Sequence, residues 1–232
     1  MKFLAASSIA LLGVDASYKA MKKSYSEMIA GDRDLTGPPF GNVNGYGCWC
    51  YFDSAVGNGK GEPMDLVDAE CRNLHRGYEC AVADYANCEP WTVFYIAAGQ
   101  LVVSQGSVHA ACVHANTNLG LVLGDCAIAA CSVELEFINE YTAITQNYNP
   151  QFSVYSHANL GSFVPTNNCV TNTFGTHDES PRQCCGTFPQ RYPFKVYAGT
   201  SDEAACCDGT VYKTATHFCC NSMVMLNGMA CT

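Results

Sequence analysis

Tyr46-Gly47-Cys48-Trp49-Cys50, Pro63-Met64-Asp65-Leu66-Val67-Asp68 and Cys71-Arg72-Asn73-Leu74-His75-Arg76-Gly77-Tyr78-Glu79-Cys80 are the stretches whose reading decides the fold. The first is a loop carrying glycine and two cysteines; the second and third read as the start and body of a long helix. Pro63 suits a first helical turn, where its missing N–H has no partner to lose. Glu62 and Asp65 put negative charge beside the helix N-terminus, where the peptide dipoles favour it. Leu66, Val67, Glu70, Cys71, Leu74 and Tyr78 then gather on one side of the helix.

These pieces resemble the calcium loop and first long helix of the secreted phospholipase A2 family. That family's loop reads Tyr-Gly-Cys-aromatic-Cys-Gly, followed by Pro-x-Asp-x-x-Asp and Cys-Cys-x-x-His-Asp-x-Cys-Tyr. Tyr46 to Cys50 match the first piece, and Pro63, Asp65 and Asp68 the second. The third piece fits in two registers. Without a gap, Cys71 and Tyr78 match, Leu74 stands at the catalytic histidine and His75 at the calcium aspartate. With one inserted residue His75 keeps the histidine position, and Arg76 replaces the aspartate. The ungapped register accounts for more residues and is preferred. Neither leaves a carboxylate beside the histidine, yet calcium takes about six to eight oxygen ligands, carboxylates prominent among them. The loop is altered too. Trp49 is followed by Tyr51 and Asp53 where the family has glycines, and residues 54–61 lengthen the path to Pro63. Trp49, Tyr51, Asp53 and Arg76 therefore mark a degenerate calcium loop, and calcium-dependent ester hydrolysis is expected to be lost. The resemblance also implies a disulfide between Cys50 and Cys71.

Elsewhere in this region, Tyr18 to Ala30 reads as a helix with Met21, Tyr25, Met28 and Ile29 near one face. Trp91 to Val103, rich in Val, Tyr and Ile, predicts a hairpin where the family has a small β-wing. A second long helix is expected from about Gly124 to Tyr141. Asp125 precedes Cys131 by six residues, the family spacing for the aspartate that orients the catalytic histidine. Asp125 is read here foremost as a helix cap or structural acceptor, with Tyr78 as its partner. His75, Asp125 and Tyr78 are thus vestiges of a site rather than an intact one.

Lys2, the apolar run Phe3–Val14 and the small residues Asp15-Ala16-Ser17 read as a secretory signal over residues 1–17. Sixteen cysteines fit an oxidising compartment outside the cell. Eight of them lie between Cys48 and Cys131 (Cys48, Cys50, Cys71, Cys80, Cys88, Cys112, Cys126, Cys131). Eight more lie between Cys169 and Cys231 (Cys169, Cys184, Cys185, Cys206, Cys207, Cys219, Cys220, Cys231). Both counts are even, so each half is able to close its own disulfides. The division expected is a phospholipase A2-like domain over 18–150, a linker or irregular extension over 151–168, and a cysteine-doublet module over 169–232. The fold class expected is mainly α and disulfide-rich: an antiparallel helix pair with a small β-wing, then a small irregular or β module.

Net charge is −9, and only 14% of residues are charged, against about 25% in ordinary globular chains. This balance argues against nucleic acid and against anionic membrane surfaces, both of which attract Lys and Arg. No stretch is long and apolar enough to span a bilayer. The doublets Cys184-Cys185, Cys206-Cys207 and Cys219-Cys220 resemble the dicysteine repeats of galaxin-like matrix proteins. Adjacent cysteines are poorly placed to bond each other, so each doublet is expected to reach two different strands. His109, His114, His157, His177 and His217 show no metal-site pairing, and there is no Asn-x-Ser/Thr acceptor. The expectation is a secreted, non-catalytic protein without cofactor, a matrix, coat or filament subunit that partners copies of itself or other matrix proteins. The rival is an atypical phospholipase using His75 as base and Asp125 as its orienter, with calcium; a third reading is a lipid-binding protein.

Overall fold

Asp65, not Pro63, begins the long helix. Its Oδ1 accepts the backbone N–H of Asp68 at 3.0 Å, the bond an N-cap carboxylate makes to the first helical turn. Helix α2 then runs over Leu66–Asp84. The computed structural model describes residues 19–28, 40–52, 61–84, 87–117, 124–155, 163–169, 184–193 and 204–231. The expected signal segment, Ile29, Asp53, His157 and His177 lie outside the described residues. Residues 19–28 form helix α1, with Met21 and Tyr25 buried as their spacing predicts.

Helix α5, Gly124–Ile144, is buried on every side from Cys126 to Leu135. A helix that is apolar all round belongs at the centre of a fold, and α2, α4 (Val108–Asn116) and the first hairpin of the C-terminal part pack around it. Helices α2 and α5 close at Gly77, where an added Cβ would lie 2.4 Å from Val133 Cγ1. Tyr78 reaches Glu134, while Glu70, earlier on α2, lies close enough to Glu136, later on α5, to act on its charge. The two helices therefore run in opposite directions. At one end, Tyr25, Phe40, Phe52, Phe137 and Tyr141 form an aromatic cluster, Tyr25 and Phe40 with centroids 5.2 Å apart.

The hairpin expected over Trp91–Val103 is not formed. Residues 91–100 run without strand pairing, and Leu101–Gln105 make a short helix, α3. The backbone hydrogen bonds that a partner strand would supply come from one side chain. Asn116 Oδ1 accepts the Ile96 N–H at 2.7 Å, and Asn116 Nδ2 donates to the Ile96 carbonyl at 3.3 Å. Asn116 is itself buried on α4, so tertiary contact overrides the strand preference of Val93, Tyr95 and Ile96.

The C-terminal part holds three antiparallel hairpins, each its own two-stranded sheet. They are β1–β2 (Cys184–Thr187, Gln190–Pro193), β3–β4 (Ala204–Cys207, Thr210–Lys213) and β5–β6 (His217–Cys220, Met223–Leu226). Asp208-Gly209 and Asn221-Ser222 turn the last two, with positive φ at both residues of each pair, the geometry that two-residue hairpin loops require. Successive strand residues point to opposite faces, so each cysteine doublet sends one sulfur backward and one forward. The result is a relay: Cys80–Cys184, Cys185–Cys206, Cys207–Cys219 and Cys220–Cys231.

Eight disulfides engage all sixteen cysteines. Cys50–Cys71, Cys88–Cys126 and Cys112–Cys131 lie within the helical part, Cys50–Cys71 as the resemblance implied. The two halves do not close separately: Cys48–Cys169 and Cys80–Cys184 cross between them. Even counts permit separate closure but do not impose it. The described parts of 151–168, expected as a linker or irregular extension, are bonded to the 45–48 loop. Val154 N–H donates to the Gly45 carbonyl at 3.0 Å, and Cys169, just after the short helix α6 (Pro165–Asn168), is tied to Cys48. The chain is disulfide-rich, about half of its described residues are helical, and its strands are small antiparallel pairs in the C-terminal part.

Candidate functional site

Three polar centres lie where the 46–52 loop, α2 and α5 meet. The first is Asp68, fully buried in the first turn of α2. Its carboxylate accepts backbone N–H groups from Cys48, Trp49 and Met64, each at 2.8 Å. Gly47 permits this approach: its φ is +58°, and an added Cβ would lie 2.2 Å from the Asp68 carboxyl carbon. Burial pushes the Asp68 pKa up to about 6, while the three N–H donors pull it down. Beside it, Tyr46 donates its hydroxyl to Asp65 Oδ2 at 2.5 Å and accepts the Asn149 N–H at 3.0 Å.

The second centre is His75, one to two turns further along α2 and only 4% exposed. Its Nε2 lies 2.8 Å from the Trp49 carbonyl oxygen. A carbonyl only accepts, so Nε2 carries the proton and donates it. The indole of Trp49 stands edge-on to the imidazole at 5.9 Å, and its own N–H donates to the Gly61 carbonyl at 3.0 Å. His75 Nδ1 is buried and has no hydrogen-bond partner. Burial lowers the His75 pKa against the opposing pull of the Trp49 carbonyl, so the ring is neutral. Tyr51 donates its hydroxyl to the Gly47 carbonyl at 3.1 Å. Two carbonyls of this loop are thus occupied by protein hydrogen-bond donors.

The third centre is Glu134, wholly buried in the middle of α5. Tyr78 donates to its Oε1 at 2.6 Å, and Tyr95 makes a short hydrogen bond to its Oε2. Burial first, then the charge of Glu134, drives the Tyr95 hydroxyl pKa well above its ordinary value. Tyr95 therefore stays protonated, and both phenols donate to the carboxylate. Leu74 is buried one turn before Tyr78. Tyr78 meets Glu134, not the Asp125 paired with it in the sequence reading. Asp125 lies exposed in the first turn of α5, where its charge suits the helix N-terminus.

Sequence reasoning missed Glu134, although a signal was present. A carboxylate set inside the apolar run Cys126–Ile138 must be paired where it is buried, and two tyrosines upstream were available. Of the other residues singled out, Arg76 is half-buried on α2. Its neighbour Arg72 is buried and bonds Glu62 across 3.2 Å. His109 faces Ser132 Oγ at 3.3 Å, His114 is exposed on the last turn of α4, and His217 meets Thr216 at 2.8 Å. Among the described residues no group of three His, Cys, Asp or Glu side chains is placed to hold a metal ion. No described helix is long and apolar enough to cross a membrane. Comparison with protein-family models, with curated proteins and with solved structures gives no match.

Proposed function

We propose that this chain is a secreted, non-catalytic structural subunit, built on a phospholipase A2-like helical part and associating with copies of itself. The observation that carries the reading is the disulfide relay. From Cys80 on α2, four successive bridges pass through three hairpins to Cys231. An array with so little apolar core depends on covalent staples for its order. Tension applied to the last hairpin would pass into the helical part through sulfur–sulfur bonds rather than through packing alone. That is a property suited to a matrix or coat component.

The polar centres support the non-catalytic part of the reading. In the ungapped comparison with the phospholipase family His75 stands at the calcium aspartate, and here its N–H is donated to the Trp49 carbonyl. A donor nitrogen turned toward that oxygen repels a cation where the family would bind one, and Asp68 directs its oxygens into backbone N–H groups instead. These residues do not fit calcium. As a general base, His75 would need to reach a water, but it is buried against indole and helix. Glu134 is held by two tyrosines.

The test is a pair of measurements on the secreted full-length protein. Phosphatidylcholine vesicles with millimolar calcium should yield no fatty acid above the buffer rate. Sedimentation velocity across a range of concentrations should show mass rising above the monomer. Fatty-acid release lost in His75→Ala, or one small species at every concentration, would contradict the proposal.

A further inference from the structure

The eight bridges fall into two kinds by burial. In Cys48–Cys169, Cys50–Cys71, Cys88–Cys126 and Cys112–Cys131 both cysteines are at most 2% exposed. In Cys185–Cys206, Cys207–Cys219 and Cys220–Cys231 the first cysteine is equally buried, but its partner is exposed. Cys80–Cys184 stands between the two kinds, with Cys80 buried and Cys184 half-buried. The cause lies in the strands. Neighbouring strand residues point to opposite faces, so in 206–207 and 219–220 one cysteine turns outward and the next turns inward. Each relay bridge then joins an inner cysteine to the outer cysteine that follows it. Cys231 lies beyond the last strand, in a run from Asn227 that is exposed throughout.

We propose that the relay is a site of thiol–disulfide exchange, open to small thiols of the glutathione class at Cys206, Cys219 and Cys231. Exchange begins when a thiolate attacks one sulfur of a disulfide and displaces the other, forming a mixed disulfide. A thiol arriving from solvent meets the exposed cysteine first, and the buried one is the leaving group. At the last bridge the new bond joins the small thiol to Cys231, and the bond from Cys231 to Cys220 breaks. Cys220 leaves with the electron pair and takes a proton from water. A second small thiol then attacks the adduct, which yields the disulfide of the small thiol and frees Cys231. Two thiols are thereby oxidised for one bridge reduced. Cys231 reacts first, because its surroundings are exposed and no strand pairing covers it. The bridges of the helical part present no exposed cysteine on either side, so their exchange waits on opening of the fold. The molecule thus carries one fixed set of crosslinks and one exchangeable set, and this division does not depend on self-association. Exposed disulfides are the labile and regulatory ones in general, and here all three lie on the covalent path from α2 to the last hairpin.

The experiment treats the full-length, oxidised protein with reduced glutathione at about pH 8, where part of the thiol is ionised. Free thiols are trapped with N-ethylmaleimide at successive times, and unreduced peptides are read by mass spectrometry. At the earliest times glutathione should sit on Cys206, Cys219 or Cys231, Cys231 foremost, with maleimide on Cys185, Cys207 or Cys220. The four bridges of the helical part should exchange slower by about tenfold or more, with Cys80–Cys184 at an intermediate rate. The helical circular dichroism should persist after the relay has opened. In denaturing guanidinium the difference between the two kinds of bridge should disappear, because burial is its cause. Helical bridges that open as fast as the relay in the native protein would overturn the proposal. So would early glutathione adducts on Cys185, Cys207 or Cys220, or a rate difference that survives unfolding.

Discussion

Glu134 shows how a buried charge is retained in this fold. Tyr78 and Tyr95 donate to its two oxygens, and removing either donor leaves part of a buried carboxylate without its hydrogen bond. Tyr78→Phe and Tyr95→Phe should each destabilise by about 1–3 kcal/mol, read as a lowered midpoint of chemical unfolding. Gly47→Ala should be worse, since the added methyl would strike the Asp68 carboxylate in a left-handed backbone; the yield of folded protein should fall sharply. Two carboxylates set the pH response. Glu136, half-buried on α5, has its pKa raised to about 7, by burial first and then by Glu140 and Glu70; Asp68 is raised to about 6. Their folded values lie above their unfolded ones, so between about pH 4 and 7 the native chain binds protons that the unfolded chain has released. Stability should therefore rise as pH is lowered from 8 to 6. His75, with a lowered pKa, works the other way below about pH 6.5, and bounds the gain on the acid side. Thermal melts of wild type and Glu136→Gln check this. The variant should be more stable than wild type at pH 8 and should show a smaller rise at pH 6.

Helices α2 and α5 were legible because their apolar spacing, acidic starts and cysteines all agree, and the structure moves the start of α2 only from Pro63 to the cap at Asp65. The segment 91–103 was not legible as it folds. Its residues favour strands, and the deciding partner is the side chain of Asn116, thirteen or more residues away in sequence and recognisable only once α4 is docked. The doublets were legible in part. Alternation of faces along a strand implies two partners for each pair, but the order of the relay comes from how the hairpins stack. That order has a consequence. Removing the last link with Cys220→Ser/Cys231→Ser should loosen β5–β6 while leaving the other hairpins and the helical part protected. Removing Cys80–Cys184 should release the array from α2. Hydrogen exchange should show lost protection confined to residues 217–231 in the first case, and spread over the first hairpin in the second.

For the molecule as a whole, parity of the cysteine counts was a misleading guide, because Cys48–Cys169 and Cys80–Cys184 bind the two halves to each other. The candidate site was half legible. The loop, Asp65, Asp68, His75 and Tyr78 were visible as a set. Glu134 was hidden by its place in an apolar helix, and the drawing of His75 to the Trp49 carbonyl needed the loop in place. What emerges is a helical part in which Asp68 and Glu134 are buried with hydrogen-bond donors on their oxygens, joined by an unbroken series of disulfides to an array of three hairpins. The most direct test is electron microscopy of the native protein, unreduced and without detergent. Ordered polymers with a regular repeat are the predicted result; a field of dispersed, monomer-sized particles would contradict the account.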